Sequence, residues 1–198
     1  MFATSLGDDA ELRPLEPWQA EEFLAHMDRG REFIGTHIGL ADAVHDLDSA
    51  RAFLRGYAEK TANDAGRLYG IWTGGTLVGG VMFRTMDVAA GNAEIGCWLE
   101  PSAAGRGLVT RACRILIDWA VDQRGIHRLE WLASSKNRPS IAVARRLGMT
   151  RDGVLRENHT HRGTRTDTEI WSLLAPEWRA ARSAQDPHRR AGTDPAAP

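Results

Sequence analysis

Residues 94–110 constrain this chain more than any other stretch, because a strand, a glycine-containing loop and the start of a helix follow one another without a break. The strand is expected over residues 93–100, and Gly105 and Gly107 mark the loop. The helix is legible from Ala112, Ile115, Leu116, Trp119 and Ala120, which fall at i, i+3, i+4, i+7 and i+8 as one apolar stripe. Such a junction is an anion site. The first-turn N–H groups of a helix have no intrahelical partner, and the helix dipole favours negative charge beside them. Glycine in the loop leaves a phosphate room to reach those amides. The loop has neither the Lys-Ser/Thr ending of a nucleoside triphosphate loop nor the three-glycine spacing of a dinucleotide fold. The residues therefore imply another phosphate-bearing ligand, held at the start of the helix near Gly107.

Around this junction the chain alternates strands and helices. A first strand is expected at residues 10–14, and a helix over residues 17–29 with Trp18, Phe23 and Met27 on its apolar side. Residues 30–46 read as a long loop with Gly35 and Gly39, followed by a helix over residues 47–60 capped by Asp48 or Ser49. Residues 68–73 and 77–85 form a hairpin across Gly74-Gly75-Thr76. A further strand at residues 128–134 leads to a helix that carries Pro139 in its first turn and stops at Gly148. Antiparallel strands followed by helical crossovers make a mixed α/β sheet. Residues 1–182 are expected to form a single domain, and residues 183–198, rich in Ala, Arg, Pro, Asp and Gly, a disordered tail.

Composition narrows the partners. A formal charge of -1 argues against nucleic acid or an anionic membrane as the main partner. No segment approaches the roughly 20 apolar residues of a membrane span, and residues 1–10 lack the apolar run of a signal peptide. Cys97 and Cys113 show no metal-ligand spacing, so reduced thiols in a cytoplasmic protein are expected.

The loop Ser102-Ala103-Ala104-Gly105-Arg106-Gly107 resembles the pyrophosphate loop of the Gcn5-related N-acetyltransferase (GNAT) family, Gln/Arg-x-x-Gly-x-Gly/Ala, with Ser102 in place of the leading Gln or Arg. The blocks Asn137-Arg138-Pro139-Ser140, Leu147-Gly148-Met149 and residues 152–157 and 167–174 resemble the branch of that family that acetylates ribosomal-protein alanine and serine N-termini. The resemblance spans about residues 10–178 and implies a mixed, mostly antiparallel twisted sheet of about seven strands, splayed at the acyl-CoA site and flanked by helices. It implies acetyl-CoA as cosubstrate, a primary-amine acceptor, no metal, and a homodimer as the expected assembly. Cofactor contacts are then expected from Cys97, Trp98, Leu99, Ala104, Gly105 and Arg106, and from Gly107, Leu108, Val109 and the Asn137 side chain.

For the chemistry, the resemblance puts the thioester beside the strand of Cys97 and Trp98, whose N–H groups are candidate donors to pantetheine or to the oxyanion. The tyrosine that many members use as general acid is replaced by Ala144, and Ser140 matches a serine suggested for that role. Glu94 and His159 are the two candidate bases. Alternation places Leu155, Glu157, His159 and His161 on one strand face, and His159 with His161 lacks a third ligand for a metal. The acceptor is expected to meet His37 and Ile38 in the long loop, and Trp131 and Trp171 are either core or pocket. Three readings stand: an acetyltransferase for a protein N-terminus or an aminoacyl-type metabolite, the same fold with a larger donor such as succinyl-CoA held by Arg84 or Arg156, and a non-catalytic CoA-binding protein.

Overall fold

The computed structural model describes residues 3–185, and the strongest organising element in it is one open sheet. Its strands are β1 (Thr4–Gly7), β2 (Ala10–Pro14), β3 (Arg67–Thr73), β4 (Thr76–Asp87), β5 (Asn92–Leu99), β6 (Arg128–Ser134), β7 (Thr150–His161) and β8 (Thr164–Leu174). The order across the sheet is β1-β2-β3-β4-β5-β6-β8-β7, eight strands against the seven or so expected. Every neighbouring pair is antiparallel except β5 and β6. The additional strand is β1, whose four residues bury only Leu6, too short a pattern to read as alternation. It turns into β2 through Asp8 and Asp9, both at positive φ, a conformation that aspartate tolerates better than most residues.

Helices cover both faces. On one lie α1 (Ala20–Gly35), the short α2 (Leu40–Ala43) and α3 (Leu47–Ala62), sealing a core that includes Phe23, Met27, Leu54, Trp72, Leu77 and Trp98. On the other lie α4 (Leu108–Gln123) and α5 (Arg138–Arg146), over Leu12, Ile71, Val81, Phe83, Ile95 and Trp131. Strand alternation sends Cys97 toward the α4 layer and its neighbour Trp98 toward α1. Along α4 the deepest residues are Ala112, Cys113, Leu116, Ile117 and Ala120. Ile115 and Trp119 sit at the edge of the stripe, and Trp119 has the Arg67 and Arg124 guanidinium groups 5.4 and 6.0 Å from its ring.

The expected long loop over residues 30–46 is mostly helix. α1 continues to Gly35 and α2 follows after four residues, so most of the segment has regular backbone and His37 and Ile38 lie in the short stretch between the two helices. Glycine at position 35 serves packing instead of breaking the helix, because a Cβ there would run into the Arg162 guanidinium. Trp18 is not on the apolar side: it lies in a short 3-10 turn before α1 and is 80% exposed. α3 is capped by Asp46, two or three residues earlier than expected. Its Oδ1 accepts from the Ser49 N–H at 2.8 Å, while the Asp46 N–H donates to Ser49 Oγ at 3.0 Å.

At the other end, α6 (Ala175–Gln185) was not legible. Trp178 anchors it, donating from Nε1 to Asp118 Oδ1 of α4 at 2.8 Å, and Arg182 pairs with Asp118 and Asp122 at 2.6 Å each. The helix takes in residues 183–185 of the expected tail; residues 186–198 lie outside the described part of the chain.

Candidate active site

The site begins where the sheet comes apart. β5 pairs with β6 only from Asn92↔Arg128 to Glu94↔Glu130. Beyond that, β5 continues beside β4 to Leu99, and β6 beside β8 to Ser134. The two strands diverge after Glu94, leaving one edge of residues 95–99 without a strand partner. Unpaired backbone groups on a strand edge bind an extended ligand as a neighbouring strand would.

Two cavities open on this cleft. The first, about 680 Å³, is lined by Trp98 and Leu99 of β5, by Ala104, Gly105 and Gly107 of the loop, and by Leu108 and Val109 of α4. The second, about 870 Å³, is lined among others by Phe53, Tyr57, Arg84, Glu94, Trp131 and His159. Both volumes suit a small organic ligand. His37, Ile38, Cys97, Asn137 and Ser140 line both, so the cavities meet at that ring of residues.

The loop end of the first cavity has the geometry an anion needs. Gly107 is the N-cap of α4 in the left-handed region, with φ 71°, and Gly105 has φ 78°. A side chain at either position would be strained. The first intrahelical bond runs from the Arg111 N–H to the Gly107 carbonyl, so the N–H groups that precede it face the loop without helical partners. Arg106 does not line the cavity with its side chain; it donates to the Asp8 carbonyl at 3.1 Å, beside an Arg111–Asp8 ion pair at 3.0 Å. Ser102, standing where the family pattern has Gln or Arg, turns away as well and donates to Glu100 Oε1 at 2.8 Å.

At the junction, Asn137 caps α5, its Oδ1 accepting from the Ser140 N–H at 3.1 Å. Ser140 Oγ accepts from Trp131 Nε1 at 2.9 Å, which occupies a lone pair and leaves the hydroxyl proton to be donated elsewhere. Trp131 is thus a buried support that also borders the second cavity. Trp171, its directly paired neighbour on β8, lies under Arg145, donates to Glu169 Oε2 at 3.0 Å and borders neither cavity. Of the core and pocket readings open for Trp171, its burial favours the core. Ala144 is fully buried. Burial pushes the Cys97 thiol up to about 12, so it stays protonated at neutral pH.

The two base candidates face the same cavity from different elements. Glu94 carries an ion pair with Arg84 at 2.9 Å. His159 stands on β7, its ring stacked on that of His161 with centroids 6.1 Å apart. The strict alternation expected from Leu155 to His161 fails, because β7 bulges between Leu155 and His159 with Glu157 at φ 48°. The hairpin tip beyond is docked on the first helical layer. His161 Nε2 meets the Gly35 carbonyl at 2.8 Å, and Arg162 pairs with Asp42 at 2.9 Å.

A group that the sequence did not mark lies behind the cleft. His26 of α1 is fully buried; its Nε2 accepts from Trp98 Nε1 at 2.9 Å and its Nδ1 lies 3.2 Å from Glu100 Oε2. Burial, opposed by Glu100, pushes this imidazole down to about 4. The only signal was its position on the apolar stripe between Phe23 and Met27. Among the described residues no group of three or more His, Cys, Asp or Glu is placed to hold a metal ion.

Comparison with known proteins gives the family. A family profile described as "Acetyltransferase (GNAT) domain" matches residues 10–150. The Bacillus subtilis (strain 168) protein named "Putative ribosomal N-acetyltransferase YdaF" is 30% identical over 183 residues, covering 90% of this chain and 98% of that one. The crystal structure of the microcin C7 self-immunity acetyltransferase MccE with acetyl-CoA and AMP is 26% identical with TM-score 0.80, covering 85% of this chain and 93% of that one. RimL, a ribosomal L7/L12 α-N-protein acetyltransferase in complex with coenzyme A, shares the fold at TM-score 0.83 and 18% identity, covering 88% and 99% of the two chains. The chain belongs to the GNAT family of N-acetyltransferases.

Proposed function

We propose that this GNAT enzyme moves the acetyl group of acetyl-CoA to a primary amine, either the α-amine of a protein N-terminus or an aminoacyl-type small molecule. The observation that carries the reading is the meeting of two cavities at Cys97, Asn137 and Ser140, with the helix-start anion site at the far end of one of them. The pyrophosphate takes the amides of residues 105–109, and the pantetheine arm runs along the open edge of β5. The thioester then lies at the junction and the amine enters from the second cavity. Both acceptor classes find support among the proteins it resembles: one is named a ribosomal L7/L12 α-N-protein acetyltransferase, and another was solved with acetyl-CoA and AMP.

The proton acceptor we assign is His159, because the Glu94 carboxylate is already engaged by Arg84. A free α-amine has a pKa near 7.7–8.0, so a modest base suffices to generate the nucleophile. Attack on the carbonyl builds an oxyanion within reach of the β5 backbone, and the Ser140 hydroxyl donates a hydrogen bond that stabilises the departing thiolate, while the amine proton passes to His159. The donor is acetyl-CoA: of the arginines considered for a larger acyl group, Arg84 is paired with Glu94 and Arg156 borders neither cavity. We place the enzyme in the cytoplasm on its likeness to a protein named a ribosomal N-acetyltransferase.

Thiol release from acetyl-CoA and succinyl-CoA, measured against peptides with free and blocked N-termini and against aminoacyl nucleotides, tests this. Acetyl-CoA with a free α-amine is expected to turn over. Turnover only with succinyl-CoA, or none with any donor, would overturn the reading.

A further inference from the structure

The open end of β5 poses a mechanical problem. Past Glu94 it is hydrogen-bonded to β4 alone, yet it carries the amides that must meet pantetheine and the thioester. We propose that His26, Glu100 and the Trp98 indole form a positioning unit that fixes this half-paired strand for the cofactor from behind. The proposal rests on the acetyl-CoA reading above.

The hydrogen bonds settle one another. An indole N–H only donates, so His26 Nε2 must accept from Trp98, which puts the ring proton on Nδ1 and directs it to Glu100 Oε2. Glu100 also accepts from Arg29 Nε at 3.2 Å and from Ser102 Oγ at 2.8 Å. One buried carboxylate therefore joins α1 to the residues that lead into the pyrophosphate loop. Arg29 adds a bond of 2.6 Å to the Leu77 carbonyl at the start of β4. The Trp98 ring has one place to lie: it meets Phe23 edge-on at 6.1 Å, and a Cβ on Gly80 of β4 would collide with it.

The unit spans both halves of the cofactor path. Trp98 belongs to the strand end that faces the thioester, and Ser102 to the approach of the anion loop. The same helix α1 continues to Ile34, which borders the first cavity. A neutral His26 is required throughout, because a second ring proton would point at the indole N–H. This also accounts for Ser102: its hydroxyl serves Glu100 instead of the phosphate.

The test is CoA binding by calorimetry, with urea unfolding as the control for fold. His26→Phe keeps the ring volume and removes both bonds, while Trp98→Phe removes the same indole bond from the other side, so either variant serves if the other fails to fold. Each is expected to weaken CoA about tenfold. The double variant is expected to be no weaker than the worse single one, because the indole bond lost in Trp98→Phe is already among those lost in His26→Phe. His26→Gln, which can accept from the indole and donate to Glu100, is expected to recover most of the affinity. Folded variants that bind CoA as the parent does, losses that multiply in the double variant, or failure of His26→Gln to recover affinity while stability returns would overturn the positioning role. Failure of the parent protein to bind CoA would instead refute the cofactor reading itself.

Discussion

His26 makes acid stability the most quantitative consequence of the fold. The unfolded chain accepts a proton on this residue near pH 6.5, and the folded chain only near 4, because the ring is buried, and its Nε2 lone pair already accepts a hydrogen bond from the indole N–H. Glu100 and Arg29 are the charged groups that face it, one favouring and one opposing protonation. The sign follows directly: between these values the unfolded state holds more protons, so stability rises with pH. The fold loses nothing from His26 above about pH 7 and about 3 kcal/mol by pH 4, of which about 2 kcal/mol is gone at pH 5. Asp42, held low by Arg162, and Asp46, held low by the Ser49 N–H, act at lower pH, where carboxylates take up protons. Urea unfolding of the parent and of His26→Phe at pH 7.5, 6.5, 5.5 and 5.0 isolates the contribution of His26. The variant is less stable at every pH but is expected to lose about 2 kcal/mol less than the parent on going to pH 5. Parallel pH dependences for the two proteins would refute the account of a neutral, indole-locked imidazole.

Three further outcomes are expected. Gly107→Ala puts a Cβ into the left-handed N-cap of α4, 3.6 Å from the Arg111 guanidinium, and is expected to cost about 1–2 kcal/mol of stability. It should weaken CoA at least tenfold by calorimetry. His159→Ala is expected to lower kcat/KM by about 10²–10⁴-fold, with Glu94→Gln the milder change in the same steady-state assay; the reverse ranking would assign the base to Glu94. Arg162→Ala removes an exposed pair with Asp42 and should change stability by less than about 1 kcal/mol. Kinetics with an active amine should nonetheless show a higher acceptor KM and an unchanged KM for acetyl-CoA.

The parts of this protein that were legible in its sequence are those whose local chemistry has one outcome. β6 and the hairpin of β3 and β4 follow from alternation and paired glycines, and the start of α4 from Gly107. The cofactor loop belongs with them, because an anion site at a helix start is a property of the backbone. What was missed depends on partners distant in sequence. Gly35 reads as a helix breaker until Arg162, on a hairpin far along the chain, is seen filling the space beside it. α6 has a polar composition and is held by Trp178 and Arg182 against two aspartates of α4. His26 looks like one more residue on a helix stripe until Trp98 and Glu100 arrive from β5 and the turn after it. Trp131 and Trp171 carry the same local signal, and only the position of α5 separates the one beside the cleft from the one beyond it.

The position of the cofactor underlies every step of the proposed reaction, and a crystal structure with acetyl-CoA measures it. The pyrophosphate oxygens are expected within about 3.2 Å of backbone N–H groups among residues 105–109. The thioester is expected where the two cavities meet, beside Cys97 and Ser140, with the second cavity left open to the amine. Acetyl-CoA bound elsewhere on the sheet, or with its thioester out of reach of the second cavity, would contradict the proposed course of the reaction.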